Sequence, residues 1–388
     1  MRPLRVAIIA GEESGNQLGA DLVRSLARVS GREVELVGIG GGHLAELGLK
    51  TMHDPSRLAI MGVTAVLRDL PGLIRMIGDT ARRIVAAKPD CLITIDSPAF
   101  NLRVSKKVRA LDPSIPIVKY VCPSVWAWSP GRAPAMKPYI DHVLCILPFE
   151  PDVLARLDGP PGTYVGHRMT HEPGLVAARE SQRARAGARD HTRTLMILPG
   201  SRRAEVKGLL KPFGEIVRIL HERGNRLDVV VPTVPHVAGL VREASESWAI
   251  RPQIVEGAAA KWQAFGRADA ALAASGTVLL ELAMAGVPSI SCYRMDALMN
   301  AAQRLISTWS AALPNIIADR AIVPEFYNEA IRPPMLARYV EGLLADGPAR
   351  DAQLAGFDHV RDLMTTARPS GEIAADVVLD LLKQKTGA

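Results

Sequence analysis

The chain has 388 residues, 48% of them hydrophobic and 22% charged, which suits two or three globular domains and excludes a disordered protein. A net charge of +7 favours an anionic partner, but aromatics at only 4% and the lack of a recognition motif argue against nucleic acid. No uncharged stretch reaches the roughly 18 residues that a transmembrane helix requires.

The first apolar run, Leu4–Gly11 (LRVAIIAG), is too brief for a signal peptide and leads straight into a glycine loop. It reads as a β-strand, and with no export signal the protein is expected to stay in the cytoplasm. A helix is predicted from about Gln17 to Ala27, then a strand from Val34 (VELVGIGGG) and a helix from near His43. Neither glycine loop matches G-x-G-x-x-G and no P-loop lysine follows, so dehydrogenase and NTPase chemistry lose most of their support. Glu12, in the first strand-to-helix loop, is a weaker candidate base.

Arg57–Arg83 (RLAIMGVTAVLRDLPGLIRMIGDTARR) is apolar on many faces, interrupted at Pro71-Gly72 and fringed by arginines. Buried helix is the default; the alternative is an interfacial membrane element or acyl-chain pocket, with Met61, Val66, Leu70 and Ile74 as contacts. Cys91–Asp96 (CLITID) reads as a strand ending in Asp96, where ligands of open α/β sheets bind. Ser97 and Pro98 already supply a helix cap and first helical residue, leaving Asp96 free to take a proton from an attacking hydroxyl, or else to stabilise the turn.

Two further strands, Ile117–Pro123 (IVKYVCP) and His142–Leu147 (HVLCIL), follow. Trp126 and Trp128, just after the first, form either a rigid wall beside a site or part of the core. Cys91, Cys122, Cys145 and Cys292 are scattered and expected to be reduced core residues; neither a zinc site nor any cofactor is expected. His167 closes Thr163–His167 (TYVGH), where the alternation stops, as a hinge residue or a weaker site candidate.

An arginine-rich polar stretch (Arg179, Arg183, Arg185, Arg189, Arg193) precedes a second alternating series: Thr194–Gly200 (TLMILPG), Leu227–Val234 (LDVVVPTV), Gln253–Gly257 (QIVEG), Ala270–Ser275 (AALAAS) and Ser289–Tyr293 (SISCY). The pattern predicts an α/β protein of two Rossmann-like domains facing a cleft. The expected boundaries are 1–170, a linker at 171–192, a second domain at 193–345 and C-terminal helices at 346–388.

Two strand-to-helix junctions in the second domain carry the most chemistry. At Gly200-Ser201-Arg202 and Ser275-Gly276-Thr277 the chain passes from an apolar strand through a Gly/Ser turn into a helix, which aims unpaired N–H groups at a phosphate. Glu281 lies one turn beyond Thr277. With Thr277 as N-cap, the capping-box position falls on Leu280, so Glu281 is out of register for that role. In an apolar helix the carboxylate needs a partner, either the hydroxyl pair of a ribose or a structural arginine.

Ten ordered segments resemble lipid-A-disaccharide synthases. They are Ala10–Ala20 (AGEESGNQLGA), Leu58–Val63 (LAIMGV), Lys88–Asn101 (KPDCLITIDSPAFN), Tyr120–Trp128 (YVCPSVWAW), Leu147–Glu150 (LPFE), Tyr164–His167 (YVGH), Leu198–Val206 (LPGSRRAEV), Ala274–Glu281 (ASGTVLLE), Tyr293–Met295 (YRM) and Leu313–Asn315 (LPN). The resemblance implies a glycosyltransferase-B fold, no metal, and transfer from UDP-2,3-diacylglucosamine to 2,3-diacylglucosamine 1-phosphate (lipid X) with release of UDP. It places the family's essential aspartate on Asp96, its loop arginine on Arg202, and its nucleotide-side residues on Ser275, Gly276, Thr277 and Glu281. Trp126 and the Leu58 segment would then lie on the acceptor and lipid side. Asn16, Ala99 and Ser129-Pro130-Gly131 depart from the family pattern, which leaves acceptor contacts and acyl preference open.

The expected partners are the two acylated sugars and the anionic inner face of the inner membrane, reached peripherally; a homodimer is compatible with the sequence. The rivals are a UDP-N-acetylglucosamine 2-epimerase, which needs no acyl surface, and a non-catalytic basic protein binding membrane or nucleic acid.

Overall fold

Leu4, Val6, Ile8 and Ala10 pack on one side of β1 (Leu4–Ala10), and Ala7 and Ile9 on the other. A strand buried on both faces belongs to a parallel sheet covered by helices. The computed structural model describes residues 2–59, 70–185, 187, 192–295 and 307–386. The chain forms two units, Met1–Arg168 with Thr366–Ala388, and Met169–Thr365.

In the first unit, β1 is joined by β2 (Val34–Ile39), β3 (Lys50–Thr51), β4 (Cys91–Ile95), β5 (Ile117–Tyr120), β6 (His142–Cys145) and β7 (Gly162–Tyr164). They pair in parallel in the order β3-β2-β1-β4-β5-β6-β7. In the second unit β8 (Arg193–Leu198), β9 (Leu227–Thr233), β10 (Gln253–Glu256), β11 (Ala270–Ala274), β12 (Ser289–Tyr293) and β13 (Glu325–Tyr327) repeat the arrangement as β10-β9-β8-β11-β12-β13. Each sheet reverses its order beside its first strand, at β1/β4 and at β8/β11, and such switch points open a crevice at the strands' carboxyl ends.

Three expectations need correction. The stretch read as a linker contains the helix Pro173–Ala184, which packs on the helices Ala258–Arg267 and Thr277–Ala285 of the second unit. Leu175 and Ala178 are buried there, and Gln182 donates to the carbonyls of Phe265 (2.6 Å) and Ala268 (2.7 Å). The C-terminal helices do not stay together: Pro348–Met364 belongs to the second unit and Ser370–Thr386 to the first. Ala374, Ala375 and Val378 of the latter join Leu22, Val23 and Leu26 in one core, and Arg28 pairs with Glu372 at 2.6 Å.

The third concerns Pro71-Gly72, which does not end a helix but lies within Leu70–Ala86. Met76, Ile77, Ala81 and Ile84 bury that helix's inner face, while Ile74 is 58% exposed. Leu58 is core, packed under Gly11. Met61 and Val66 lie outside the described residues, as does the side chain of Leu70. Among the described residues no helix is long and apolar enough to cross a membrane.

Candidate active site

A pocket of about 660 Å³ opens at the carboxyl end of the second sheet. Gly200, Ser201, Arg202, Ser275, Gly276, Thr277 and Glu281 all line it, so both predicted junctions meet in one place. Sequence reasoning missed Thr233, Pro235, Gly257, Ala258 and Lys261, which complete the wall. Four helices begin there: Arg203–Glu222, Pro235–Ser245, Ala258–Arg267 and Thr277–Ala285. Their N-cap positions hold Arg202, Val234, Gly257 and Gly276, and the side chains of Val and Gly offer no acceptor to the first N–H groups. Three of these helix ends have no side-chain cap, and with the fourth, where Glu205 takes the Arg202 N–H, they share one pocket suited to an anion.

Gly200 and Gly276 turn the chain into the first and last of these helices with φ of +102° and +125°. A Cβ at Gly200 would also lie 2.5 Å from Glu205 Oε2. The cap of the last helix is thus Gly276 and not Thr277, which is already its first residue. Glu205 accepts from the backbone N–H of Arg202 (3.3 Å) and from its guanidinium (2.9 Å), leaving that side chain 80% exposed. Glu281 remains out of register for capping, and its partner within the protein is a lysine and not an arginine. Lys261 Nζ donates to both its oxygens, at 2.9 and 3.0 Å, and lies 3.9 Å from the ring centre of Trp262.

The first unit gathers a second group at the ends of β1, β4 and β5. Asp96 (φ 48°) and Ser97 (φ 40°) are consecutive left-handed residues without glycine, and Val121 (φ 68°) adds a third just past β5. Such residues cost roughly 1–3 kcal/mol each and persist where the surroundings over-determine them. Here the determinants are visible. Asp96 N–H donates to the Tyr120 carbonyl (3.1 Å), and the Asp96 carbonyl accepts from Asn101 Nδ2 (2.8 Å) and Lys119 Nζ (2.7 Å). Ser97 occupies the cap position and Pro98 the first helical one, as expected, although the serine hydroxyl makes no capping bond.

The Asp96 carboxylate itself takes no hydrogen bond among the described residues. Partial burial, and then the charge of Asp96, push the Glu12 carboxyl above its ordinary range, so these two candidate bases are electrostatic neighbours. Asn16 is 4% exposed, accepts from Gly41 N–H (2.7 Å) and donates to the Glu12 carbonyl (2.9 Å), tying the first two strand-to-helix loops together. An acidic residue there would lack the donor.

Trp126 and Trp128 do not form a joint wall. Trp126 packs edge-on against Phe149 (5.4 Å) beside the core and donates to Glu150 (3.4 Å), whereas Trp128 is 48% exposed under Arg132. Nor are the cysteines all scattered. Cys122, Cys145 and Glu150 bring two buried thiols and a carboxylate within 4.8 Å of one another. Those groups have local bonds: Glu150 accepts from the N–H groups of Ile146 and Leu147 (both 3.0 Å), and Cys122 donates to the Pro123 carbonyl (3.3 Å). Burial pushes the Glu150 carboxyl up to about 7, and burial with the nearby Arg168 pushes the His167 imidazole down to about 4.

Residues 6–372 match the lipid-A-disaccharide synthetase family. The lipid-A-disaccharide synthase of Rhodopseudomonas palustris (strain HaA2) is 45% identical over 384 residues, 98% of this chain and 97% of its own. Among solved structures, the glycotransferase of kitacinnamycin aligns with a TM-score of 0.62 at 14% identity, covering 98% of this chain and 100% of that one. The UDP-GlcNAc 2-epimerase from Neisseria meningitidis bound to UDP-GlcNAc aligns with a TM-score of 0.55 at 13% identity, over 99% and 100% of the two chains. Transferases and epimerases share this fold, so the fold alone does not separate them; the sequence match does. The chain belongs to the lipid-A-disaccharide synthase family and is a hexosyltransferase of lipid A biosynthesis with the glycosyltransferase-B fold.

Proposed function

We propose that the protein transfers 2,3-diacylglucosamine from its UDP conjugate to the 6-hydroxyl of 2,3-diacylglucosamine 1-phosphate, inverting the anomeric centre. The observation that carries the donor half is the pocket of the second unit, where four helix N-termini, three of them uncapped, and Arg202 face one space. Those groups suit the diphosphate, and their fixed dipoles stabilise the charge that develops on departing UDP. Glu281, held by Lys261, suits the ribose diol.

Asp96 takes the proton of the acceptor hydroxyl. The hydroxyl oxygen bonds to the anomeric carbon from the face opposite UDP as the carbon–oxygen bond to the diphosphate breaks. Acylated substrates place the reaction at a membrane surface, and the exposed Ile74 beside Arg75 supports peripheral contact there. Incubation with UDP-diacylglucosamine and the acyl-glucosamine 1-phosphate should give the β-linked disaccharide and UDP by mass spectrometry and NMR. An α-linked product would exclude inversion. Conversion of UDP-N-acetylglucosamine alone to its 2-epimer would replace this reading with the epimerase.

A further inference from the structure

Lys119 is wholly buried in a central strand of the first sheet, and no carboxylate bonds it among the described residues. Its ammonium has three N–H bonds and three acceptors, the main-chain carbonyls of Asp96 (2.7 Å), Tyr120 (3.0 Å) and Thr94 (3.4 Å). A buried cation is costly where an apolar side chain would fill the same place, so its contacts show what it does. Two of those carbonyls flank the strained residues. The Asp96 carbonyl lies in the peptide between Asp96 and Ser97, and the Tyr120 carbonyl in the peptide that leads into Val121. The Tyr120 carbonyl also receives the Asp96 N–H.

We propose that Lys119 is a positioning residue for the Asp96 carboxylate: it clamps the peptide inside the left-handed turn at Asp96-Ser97 together with the peptide that leads into Val121, and places a positive charge beneath them. This rests on Asp96 being the base assigned above. The clamp sets where the carboxylate points, and the ammonium's charge strengthens its bonds to the carbonyls that form the clamp. The titratable groups that bear on Lys119 are Asp96 at the end of β4 and the Cys122 thiol beyond β5, while Glu12 from the first loop faces Asp96. Burial, opposed by Asp96 and Cys122, leaves the ammonium at about 8. Turnover should therefore decline above that pH as the charge is lost.

The test uses the full chain with Lys119→Met and Lys119→Gln beside Asp96→Asn. In Lys119→Met, circular dichroism and calorimetric UDP affinity should match the wild type, with kcat down roughly 10–100-fold and KM little changed, since a small displacement of a reacting group has an effect of that size. The wild-type kcat profile should fall above about pH 8, and Lys119→Gln, which keeps a neutral donor, should lose that limb. A folded Met variant with wild-type kcat, or an alkaline limb that survives in the Gln variant, would overturn the positioning role. If the Met variant does not fold, the Gln variant and the wild-type profile decide. Near-normal turnover in Asp96→Asn would instead overturn the base assignment itself, so the two failures are distinguishable.

Discussion

Lys261 Nζ sits within hydrogen-bonding distance of both carboxylate oxygens of Glu281, linking two of the helices whose N-termini face the pocket of the second unit. The pair is partly exposed, with side chains 28% and 18% accessible, so a ribose diol can reach the same carboxylate from the open side. Glu281→Ala should weaken UDP and uridine binding alike by about 10-fold or more, because hydrogen bonds to a charged group carry about 1.5–3 kcal/mol and both ligands contain the ribose. Calorimetry with the two ligands measures this, and unchanged uridine affinity would remove Glu281 from the ribose.

Arg202 should behave differently. Its guanidinium is 80% exposed and bonded to Glu205, free to swing toward a diphosphate at the pocket mouth. Arg202→Ala is expected to weaken UDP by about 10-fold while leaving uridine within twofold. An equal loss for both ligands contradicts the diphosphate role.

Asp96→Asn preserves the turn, whose bonds run through main-chain atoms, and removes the proton acceptor. Turnover should drop by roughly 10²–10⁴-fold with UDP affinity and melting temperature unchanged. Steady-state kinetics with both substrates, together with UDP calorimetry, provides the check.

Two titratable groups in the first unit, buried Glu150 and half-buried His167, give opposite pH dependences. His167, lowered from 6.5 to about 4, contributes stability that is present above pH 6.5 and lost as pH falls toward 4. Glu150, raised from 4.5 to about 7, contributes stability that is present below pH 4.5 and lost as pH rises through 7. In the window between about 4.5 and 6.5 the two offset each other. Denaturant unfolding at pH 7 and pH 5 should therefore show His167→Asn gaining stability on acidification relative to wild type and Glu150→Gln losing it, each by an amount on the order of 1–2 kcal/mol. Parallel pH responses in wild type and both variants would exclude the pair as the cause.

Ile74 is the exposed aliphatic side chain on which the proposed peripheral contact rests. Ile74→Ser should fold normally, since the side chain is exposed, and should bind anionic vesicles about 10-fold less tightly or worse, a buried aliphatic side chain contributing about 1.5–3 kcal/mol. Binding of the wild type should also weaken with salt, as charges are screened over about 8–10 Å near physiological ionic strength. Vesicle flotation of a folded variant that matched wild type would place the contact elsewhere.

Where the sequence was legible, it was because burial repeats. Strands such as Cys91–Ile95 and Ala270–Ala274 are buried on both faces, and the Gly/Ser turns after β8 and β11 announce the pocket that they line together. The elements missed carry little such signal. β3 has two exposed residues and β13 only three, while Pro173–Ala184 buries just Leu175 and Ala178 among its arginines. Lys119 and Lys261 were hidden for a related reason. A lysine within a strand run or an amphipathic helix reads as solvated, and its role depends on carbonyls or a carboxylate brought from elsewhere in the chain. The turn at Asp96 showed its residues in advance but not its backbone, since no residue type there requires a positive φ.

The Ser370–Thr386 helix closes the core that Glu13–Ser30 opens, so residues 169–365 are an insertion within the first unit. During synthesis that insertion can finish folding while the hydrophobic side of Leu22 and Leu26 still waits for its cover. The unit carrying Asp96 therefore cannot complete its core until the final helix is made, whereas the unit built between can. Cutting the chain before Ser370 should unfold the N-terminal half and spare nucleotide binding.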